Sequence, residues 1–381
     1  MYGSRRLHKS QVLILYVAAM LSTGCEAIIQ NVDLSTLTSQ TGFVINGASA
    51  TDQSGSSVCG VGDVNADGID DVIIGSPFAS PVVGGATRAG AGVAYVLFGS
   101  PTTSTAGFYT NLNLANFATV GSVLGFAIYG AVAGDNIGSS VSRAGDVNGD
   151  GTDDIILGSQ LANAVVSGVT RAGAGVSYVV FGRSIALGAA YYANIDLFPL
   201  NTAGSVLGFA IFGALTSDRS GYCVSTAGDV NDDNIDDVLI GAFSASPTTG
   251  VGGAPINQAG VTYVVFGRSN SSAVSFTNID LLPLFSAGSS VGFAIYGVTA
   301  GEYSGRAVST AGDVNGDGVC DLIVGAVYAN PVVGGVTRSS AGATYVVFGR
   351  SYLTGTAAYV NVDLASIATA GSSVGFVVQG G

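Results

Sequence analysis

Four acidic loops carry the side chains best suited to chemistry. They occupy residues 63–71, 146–154, 229–237 and 313–321, and each has Asp at positions 1, 5 and 9 and Asn at position 3. Alternate residues of so short a loop point to its inside, where their oxygens can surround a cation. Ca²⁺ takes 6–8 oxygen ligands in proteins. The spacing therefore predicts a calcium site in each loop.

The pattern is similar to the first half of an EF-hand loop, in which positions 1, 3 and 5 bind through side chains and position 7 through its backbone carbonyl. Here the last carboxylate stands at position 9. The predicted metal ligands are Asp63, Asn65, Asp67, Ile69, Asp71, Asp146, Asn148, Asp150, Thr152, Asp154, Asp229, Asn231, Asp233, Ile235, Asp237, Asp313, Asn315, Asp317, Val319 and Asp321.

Positions 6 and 8 of the loops support this assignment. Position 6 is Gly in three loops and Asn234 in the third, as expected where the backbone must be left-handed. Position 8 is Asp in three loops but Cys320 in the fourth, so we assign the last carboxylate to position 9. About four structural Ca²⁺ ions are expected, since a nearly all-protein cage suits Mg²⁺ less well. The alternative is a set of solvated Asp-Gly turns without metal.

The loops belong to a unit that is written four times. The string Gly-Asp-Val-Asn begins at Gly62, Gly145, Gly228 and Gly312. In each unit, four short segments rich in Val, Ile, Tyr and Phe are bounded by Gly, Asn, Asp and Ser, which is typical of strands. No segment shows a sustained helical period. We predict an all-β chain in which each unit forms the four-stranded blade of a β-propeller.

Composition excludes several functions. The chain has 381 residues, 58 of them Gly, with only 12 Lys and Arg and a net charge of −13, which argues against nucleic-acid binding. The one His, His8, lies near the N-terminus, and Glu302 is the one Glu beyond residue 27. Acid–base and Ser/His or Cys/His catalysis lack their usual groups. We predict that the protein is not an enzyme.

Residues 1–27 have the pattern of a secretory signal peptide. Arg5, Arg6 and Lys9 precede the apolar run 12–20, and small residues lead to Ala27. Cleavage there would leave 28–381 as the repeat domain of a secreted or cell-surface protein. The alternatives are a lipid anchor at Cys25 and an uncleaved anchor. The other three cysteines, Cys59, Cys223 and Cys320, are expected to be free buried thiols.

Two short strings recur around each loop. The first follows the strand after the loop, as in Gly75-Ser76-Pro77 and Gly241-Ala242-Phe243. The second precedes the loop, as in Ile137-Gly138 and Ser220-Gly221. With the acidic loop, they resemble the FG-GAP repeat, which builds the seven-bladed propeller of integrin alpha chains. The resemblance covers nearly all of 28–381.

The resemblance implies a β-propeller with calcium loops on one of its faces. The units here are longer than those of integrins, and there are four loops rather than seven. Both ends carry the same last strand, in 31–47 and 361–380. An incomplete or open propeller is therefore expected, with self-association, or with further repeats if the chain is a fragment.

For function, we expect an adhesion or recognition module that binds a protein or glycan on its loop face. One alternative is a lectin-like propeller, for which the candidate aromatic residues are Tyr109, Tyr191 and Tyr192. Another is a non-catalytic repeat region of a larger extracellular enzyme. The recurring arginines at 88, 171 and 338 either line a rim for a ligand or keep that face soluble.

Overall fold

The computed structural model shows a chain made almost entirely of β-structure. It describes residues 11–14, 37, 42–100, 111–118, 122–184, 192–201, 205–248, 254–269, 276–285, 289–351, 359–367 and 372–380. Helical residues in this part of the chain form short 3-10 turns at Leu114–Ala118, Phe198–Asn201, Leu282–Phe285 and Leu364–Ser366. The prediction of an all-β chain is confirmed.

The strands follow the repeat. Two strands precede the first unit: β1 (Gln11–Ile14) and β2 (Phe43–Asn46). Unit 1 contains β3 (Ser57–Gly62), β4 (Asp71–Ser76), β5 (Val82–Val83), β6 (Ala86–Thr87), β7 (Val93–Leu97), β8 (Leu112–Asn113) and β9 (Gly125–Tyr129). Unit 2 contains β10 (Ser140–Gly145), β11 (Asp154–Ser159), β12 (Ala164–Val166), β13 (Val169–Arg171), β14 (Val176–Val180), β15 (Ile195–Asp196) and β16 (Gly208–Phe212). Unit 3 contains β17 (Cys223–Gly228), β18 (Asp237–Ala242), β19 (Val261–Val265), β20 (Ile279–Asp280) and β21 (Gly292–Tyr296). Unit 4 contains β22 (Ser304–Gly312), β23 (Asp321–Ala326), β24 (Val332–Val333), β25 (Val336–Thr337), β26 (Ala343–Val347), β27 (Val362–Asp363) and β28 (Gly375–Gln379).

Each unit forms a four-stranded antiparallel blade. In blade 2 the order is β10-β11-β14-β16, and Leu157 pairs with Tyr178, which in turn pairs with Ala210. Every residue of β14 is buried, as expected for a strand whose sheet is covered on both faces. The first strands of successive blades, β3, β10, β17 and β22, contact one another in that order. The blades are therefore stacked around a common inner edge, as in a β-propeller.

A two-residue strand from the following unit extends the outer edge of each of the first three blades. β15, β20 and β27 pair in parallel with β9, β16 and β21, and β8 pairs in the same way with β2. The Asn before each short strand accepts a hydrogen bond from the strand it joins, as Asn194 does from the N–H of Ala127 at 2.9 Å. We call these three-residue stretches, 111–113, 194–196, 278–280 and 361–363, the cap segments. Each unit thus donates a short strand to the unit before it, which the sequence did not predict.

An aromatic triplet fills the outer core where two units meet. At the junction of units 2 and 3, Phe181 and Phe209 come from one unit and Phe276 from the next. Phe276 stacks on Phe209 with ring centroids 5.6 Å apart and meets Phe181 at 4.8 Å. The other two triplets are Phe98, Phe126, Tyr192 and Phe266, Phe293, Tyr359. The third ring always stands two residues before the Asn of the cap segment, so the cap brings it into place.

Glycines allow the blades to approach at their backbones. A Cβ added at Gly241 would overlap the carbonyl oxygen of Gly305 in the next blade, and Gly158 stands in the same relation to Gly221. Gly325 is the equivalent residue of blade 4. The nearest atoms to a Cβ added there belong to Ala307 and are 3.5 Å away. The Gly residues of the two FG-GAP strings therefore face each other across each blade junction. Neighbouring blades therefore approach closely at these glycines.

The array is open in this structure. β2 lies beside unit 1, where Phe43 and Ile45 pack with Ile74 and Tyr95. β1 is an antiparallel edge strand on β2, and its residues fall inside the predicted signal peptide, whose cleavage stays a prediction. At the other end, β28 is paired with β26 and with no cap segment among the described residues. The expectation of an open or incomplete propeller is confirmed.

Candidate metal centre

The four acidic loops connect the first and second strands of the blades, so all four lie at the same end of the stack. Immediately before each loop the first strand carries an irregularity of register, for example between Arg143 and Gly145. Gly145 has a φ of 83°, and the equivalent Gly62, Gly228 and Gly312 are also left-handed. A bulge with a left-handed glycine turns the chain sharply out of the sheet. The bulge thereby places position 1 at the start of the loop.

Within each loop the predicted ligands converge on the loop's own backbone. In the first loop, the carboxylate of Asp63 accepts hydrogen bonds from the N–H groups of Asp67 at 3.0 Å and Gly68 at 2.7 Å. The amide oxygen of Asn65 accepts from Asp67 N–H at 2.8 Å, and Asp67 accepts from Ile69 N–H at 2.9 Å. The same contacts recur in the other three loops. Positions 1, 3 and 5 are therefore held with their oxygens gathered inside the turn.

Position 6 has the predicted backbone conformation. Gly68, Gly151 and Gly318 have φ values of 88°, 86° and 91°. Asn234 replaces Gly in the third loop and has a φ of 65°. This is the left-handed region that Gly and Asn tolerate best, so the expectation is confirmed.

The carboxylate at position 9 is the buried floor of the loop. Asp71 is the first residue of β4, and its oxygens accept from Val64 N–H at 3.1 Å and Gly99 N–H at 2.7 Å. Asp154, Asp237 and Asp321 make the equivalent pairs of hydrogen bonds. Each aspartate thus ties the start of the loop to the Gly that stands two residues after the third strand of its blade.

The electrostatics of position 9 are unfavourable without a cation. Burial raises the pKa of Asp71 to about 7 and that of Asp154 to about 8, and the carboxylates at positions 5 and 1 of the same loop contribute to both shifts. The pKa of Asp237 is also well above its usual range for the same reasons. Two backbone hydrogen bonds offset part of this cost but leave the negative charges facing one another.

Position 8 has a different role, which the sequence did not indicate. Asp153 accepts from Asp63 N–H of the previous blade at 3.0 Å, and Asp236 accepts from Asp146 N–H at 3.0 Å. Arg143 forms an ion pair with Asp153 at 2.6 Å. In the fourth loop the contact to the previous blade is a backbone one, from Cys320 N–H to the carbonyl of Asp229 at 3.1 Å. In loops 2, 3 and 4, position 8 therefore links the loop to the one before it.

The donor set of each loop fits a calcium ion. It offers oxygens from three carboxylates, one amide and one backbone carbonyl, which leaves room for water among the 6–8 ligands that Ca²⁺ takes. No three His, Cys, Asp or Glu side chains of the described residues stand in the geometry of a metal site. In the structure the carboxylates are instead held by backbone N–H groups. The fit therefore rests on the chemistry of the donors and on the unneutralised charge at position 9.

Other residues singled out by the sequence have structural places. Tyr192 is buried in an aromatic triplet, so it is not a free ligand platform, and Tyr109 and Tyr191 lie outside the described residues. Arg88 and Arg171 bind the cap aspartates Asp196 and Asp280, each through two hydrogen bonds of 2.6 and 2.9 Å. These two arginines hold the cap segments in place. Cys59, Cys223 and Cys320 are free and partly buried.

A second set of acids was not recognised as a set from the sequence. Asp52, Asp135, Asp218 and Glu302 stand ten residues before the Gly that starts each Gly-Asp string, and all four are buried. Each accepts a hydrogen bond from a nearby backbone N–H, as Asp218 does from Leu215 at 3.1 Å. Burial raises the pKa of Asp135 to about 6 and that of Asp218 to about 7. Their equal spacing was the signal that could have identified them.

Stacked four-stranded blades, cap segments donated to the preceding unit and one acidic loop per blade define a propeller-type repeat protein. The FG-GAP repeat family matches residues 54–97 and 138–180, the greater part of blades 1 and 2. The chain therefore contains FG-GAP repeats at these two positions, and FG-GAP repeats indicate a propeller-type interaction module that is generally non-catalytic. No helix within the described ranges combines the length and the apolar character that crossing a bilayer requires.

Proposed function

We propose that this protein is an extracellular calcium-binding propeller that acts as an adhesion or recognition module. The observation that carries the proposal is the repetition of one oxygen-lined loop, with the same hydrogen bonds, in all four blades. A bound Ca²⁺ supplies positive charge and fixes the loop. The chain's own residues gather the ligands, bury the position 9 carboxylate and connect each loop to the preceding blade. The signal-like pattern of residues 1–27 supports export to a compartment where calcium is abundant.

Loop geometry links the ion to the rest of the fold. Position 9 begins the second strand and also bonds the end of the third, while position 8 reaches the preceding loop in blades 2 and 3. Because a ligand that binds the folded state stabilises it by about 2.7 kcal/mol at a hundredfold excess over its Kd, calcium should stabilise the folded array. We place the protein or glycan ligand at the opposite end of the blades, rather than on the loop face that the sequence analysis expected.

Calcium titration of the full chain by calorimetry tests the proposal, with Mg²⁺ as the comparison ion. We expect binding near four ions per chain and a higher melting temperature with calcium than with a chelator. Asp67→Asn should weaken or remove one of the sites. Asp70→Asn is the matched control, since it makes the same charge change at an exposed position 8. No calcium binding, or equal losses in the two variants, would refute the assignment.

A further inference from the structure

A cluster of aromatic and arginine side chains at the junction of blades 3 and 4 breaks the repeat. Its members are Arg219, Tyr222 and Phe243 of unit 3 and Tyr303, Arg306 and Tyr328 of unit 4. At the junction of units 1 and 2 the same positions hold Gln53, Ser56, Pro77, Asn136, Ser139 and Leu161. Packing common to all blades therefore does not account for these six side chains.

The cluster lies at the end of the blades opposite the acidic loops. Arg219 and Tyr303 belong to the turns that lead into the first strands, and Phe243 and Tyr328 lie within two residues after the second strands. The acidic loops join the far ends of those same strands. The two features are thus on opposite faces of the array, and a ligand of one does not touch the other.

The rings form one connected platform. Phe243 is buried at its centre and meets Tyr222 at 4.5 Å and Tyr303 at 5.6 Å between ring centroids. Tyr303 in turn meets Tyr328 at 5.6 Å. All three contacts are edge-on. Tyr328 is 45% exposed at the rim of the platform.

Two guanidinium groups lie over the rings. Arg306 stands 5.4 Å from the centroid of Tyr222 and 5.5 Å from that of Phe243, and Arg219 stands 5.8 Å from Phe243. Neither arginine makes a salt bridge with a carboxylate of the described residues. A guanidinium that stacks through its face keeps its N–H donors in the plane for a planar anion.

The nearest acids in sequence do not neutralise this charge. Asp218 and Glu302 adjoin Arg219 and Tyr303 in the chain, but they are buried and their carboxylates face the N–H groups of Leu215 and Val298. The outward surface of the cluster therefore carries two positive charges on a chain whose net charge is −13.

We propose that this cluster is a binding site for an acidic saccharide, with a carboxylate or sulfate on Arg219 and Arg306 and the flat C–H face of a sugar ring on the tyrosines. An acidic peptide would use the arginines alone and leave three tyrosines without a role, so we favour the saccharide. The inference names the ligand class of the recognition module proposed above and rests on it in that respect. It does not depend on the acidic loops, because they lie on the opposite face.

The test is calorimetric titration of the full chain, with calcium present, against trigalacturonate, a sulfated chondroitin tetrasaccharide and neutral maltotriose. We expect both charged sugars to bind with a Kd of about 0.1–1 mM and the neutral sugar not to bind measurably. Arg306→Gln and Tyr328→Ala should each weaken binding about fivefold, a loss of about 1 kcal/mol. Melting temperatures of the variants establish that they are folded.

Arg338→Gln is the matched control, since it removes one partly buried arginine that lies outside the cluster and has no salt bridge to a carboxylate within the described part of the chain. It should leave the Kd within about twofold of the original value. Equal weakening by Arg338→Gln and Arg306→Gln would show that net charge alone attracts the sugar. That result, or equally tight binding of tetraglutamate that ignores Tyr328→Ala, would overturn the inference. Failure to bind either charged sugar in a protein that binds about four calcium ions would overturn the saccharide site and leave the calcium assignment standing.

Discussion

Blade 3 and blade 4 have closely similar strands and different surroundings. Phe293 of β21 is 3% exposed, whereas its equivalent in β28, Phe376, is 44% exposed. The next residue on the same side of the strand differs more, since Ile295 is fully buried and Val378 is 56% exposed. The same sequence pattern is therefore core in one blade and surface in the other.

The difference comes from what the following unit supplies. Blade 3 receives the ring of Tyr359, the cap segment with Asn361, and the backbone of Arg350, whose N–H binds the carbonyl of Val230. Val230 is buried as a result, while Val314 of the fourth loop is 50% exposed. Each blade thus completes the burial of the blade before it, and a unit is not a self-sufficient domain.

Among the changes that test this comparison, removal of an aromatic ring should have the largest effect on the free energy of unfolding. Phe293→Ala should cost about 3–5 kcal/mol, the usual range for removing a buried Phe. Phe376→Ala should cost less than about 1 kcal/mol, because its side chain is already nearly half exposed. Chemical unfolding at fixed calcium, followed by circular dichroism, measures both. Similar losses would mean that β28 is covered in solution.

The next effect concerns the buried acid of unit 3. The pKa of Asp218 is about 7 in the folded chain, above the 3.8 of a solvated Asp. The folded state therefore holds the proton more tightly, so stability falls as pH rises from about 4 to about 7 and the penalty is complete above that. Asp218→Asn keeps an oxygen for Leu215 N–H and carries no charge.

We expect Asp218→Asn to raise the free energy of unfolding at pH 8 by about 2–4 kcal/mol and to change it little at pH 4, since one pKa unit is about 1.4 kcal/mol. Unfolding curves at a series of pH values measure the change. An equal effect at both pH values would show that ionising Asp218 does not destabilise the folded chain.

A smaller pair of changes tests the junction between blades. Gly241→Ala places a methyl group on the backbone of Gly305 and should cost about 1–3 kcal/mol through forced separation of the blades. Gly325→Ala brings the new methyl group only into ordinary contact with Ala307 at 3.5 Å, and it should be neutral or stabilise the fold by up to about 1 kcal/mol through the unfolded chain. Melting temperatures decide the signs. Destabilisation by both would mean that a further partner lies against Gly325.

The sequence was sufficient to predict the parts of this structure that are local. Strand character, the bend at position 6 and the repeat itself depend on neighbours in the chain, and Gly68 and Asn234 show the predicted conformation. The cap segments were not predicted because a two-residue strand is too short to show periodicity. Its pairing with the preceding blade is also a non-local contact, which its own sequence does not indicate. Tyr192 was misjudged for the same reason, although Phe276 and Tyr359 stand at the equivalent positions.

The donated cap segment also sets the order in which the blades can be completed during synthesis. The Asn that binds Ala127 lies 67 residues further along the chain. At the usual rate of synthesis of about 5–20 residues per second, a strand that leaves the ribosome waits about 3–13 s for the segment that closes its edge. A nascent chain of this protein therefore always presents one open strand behind its growing end, and the blades can be completed only from the N-terminus forward.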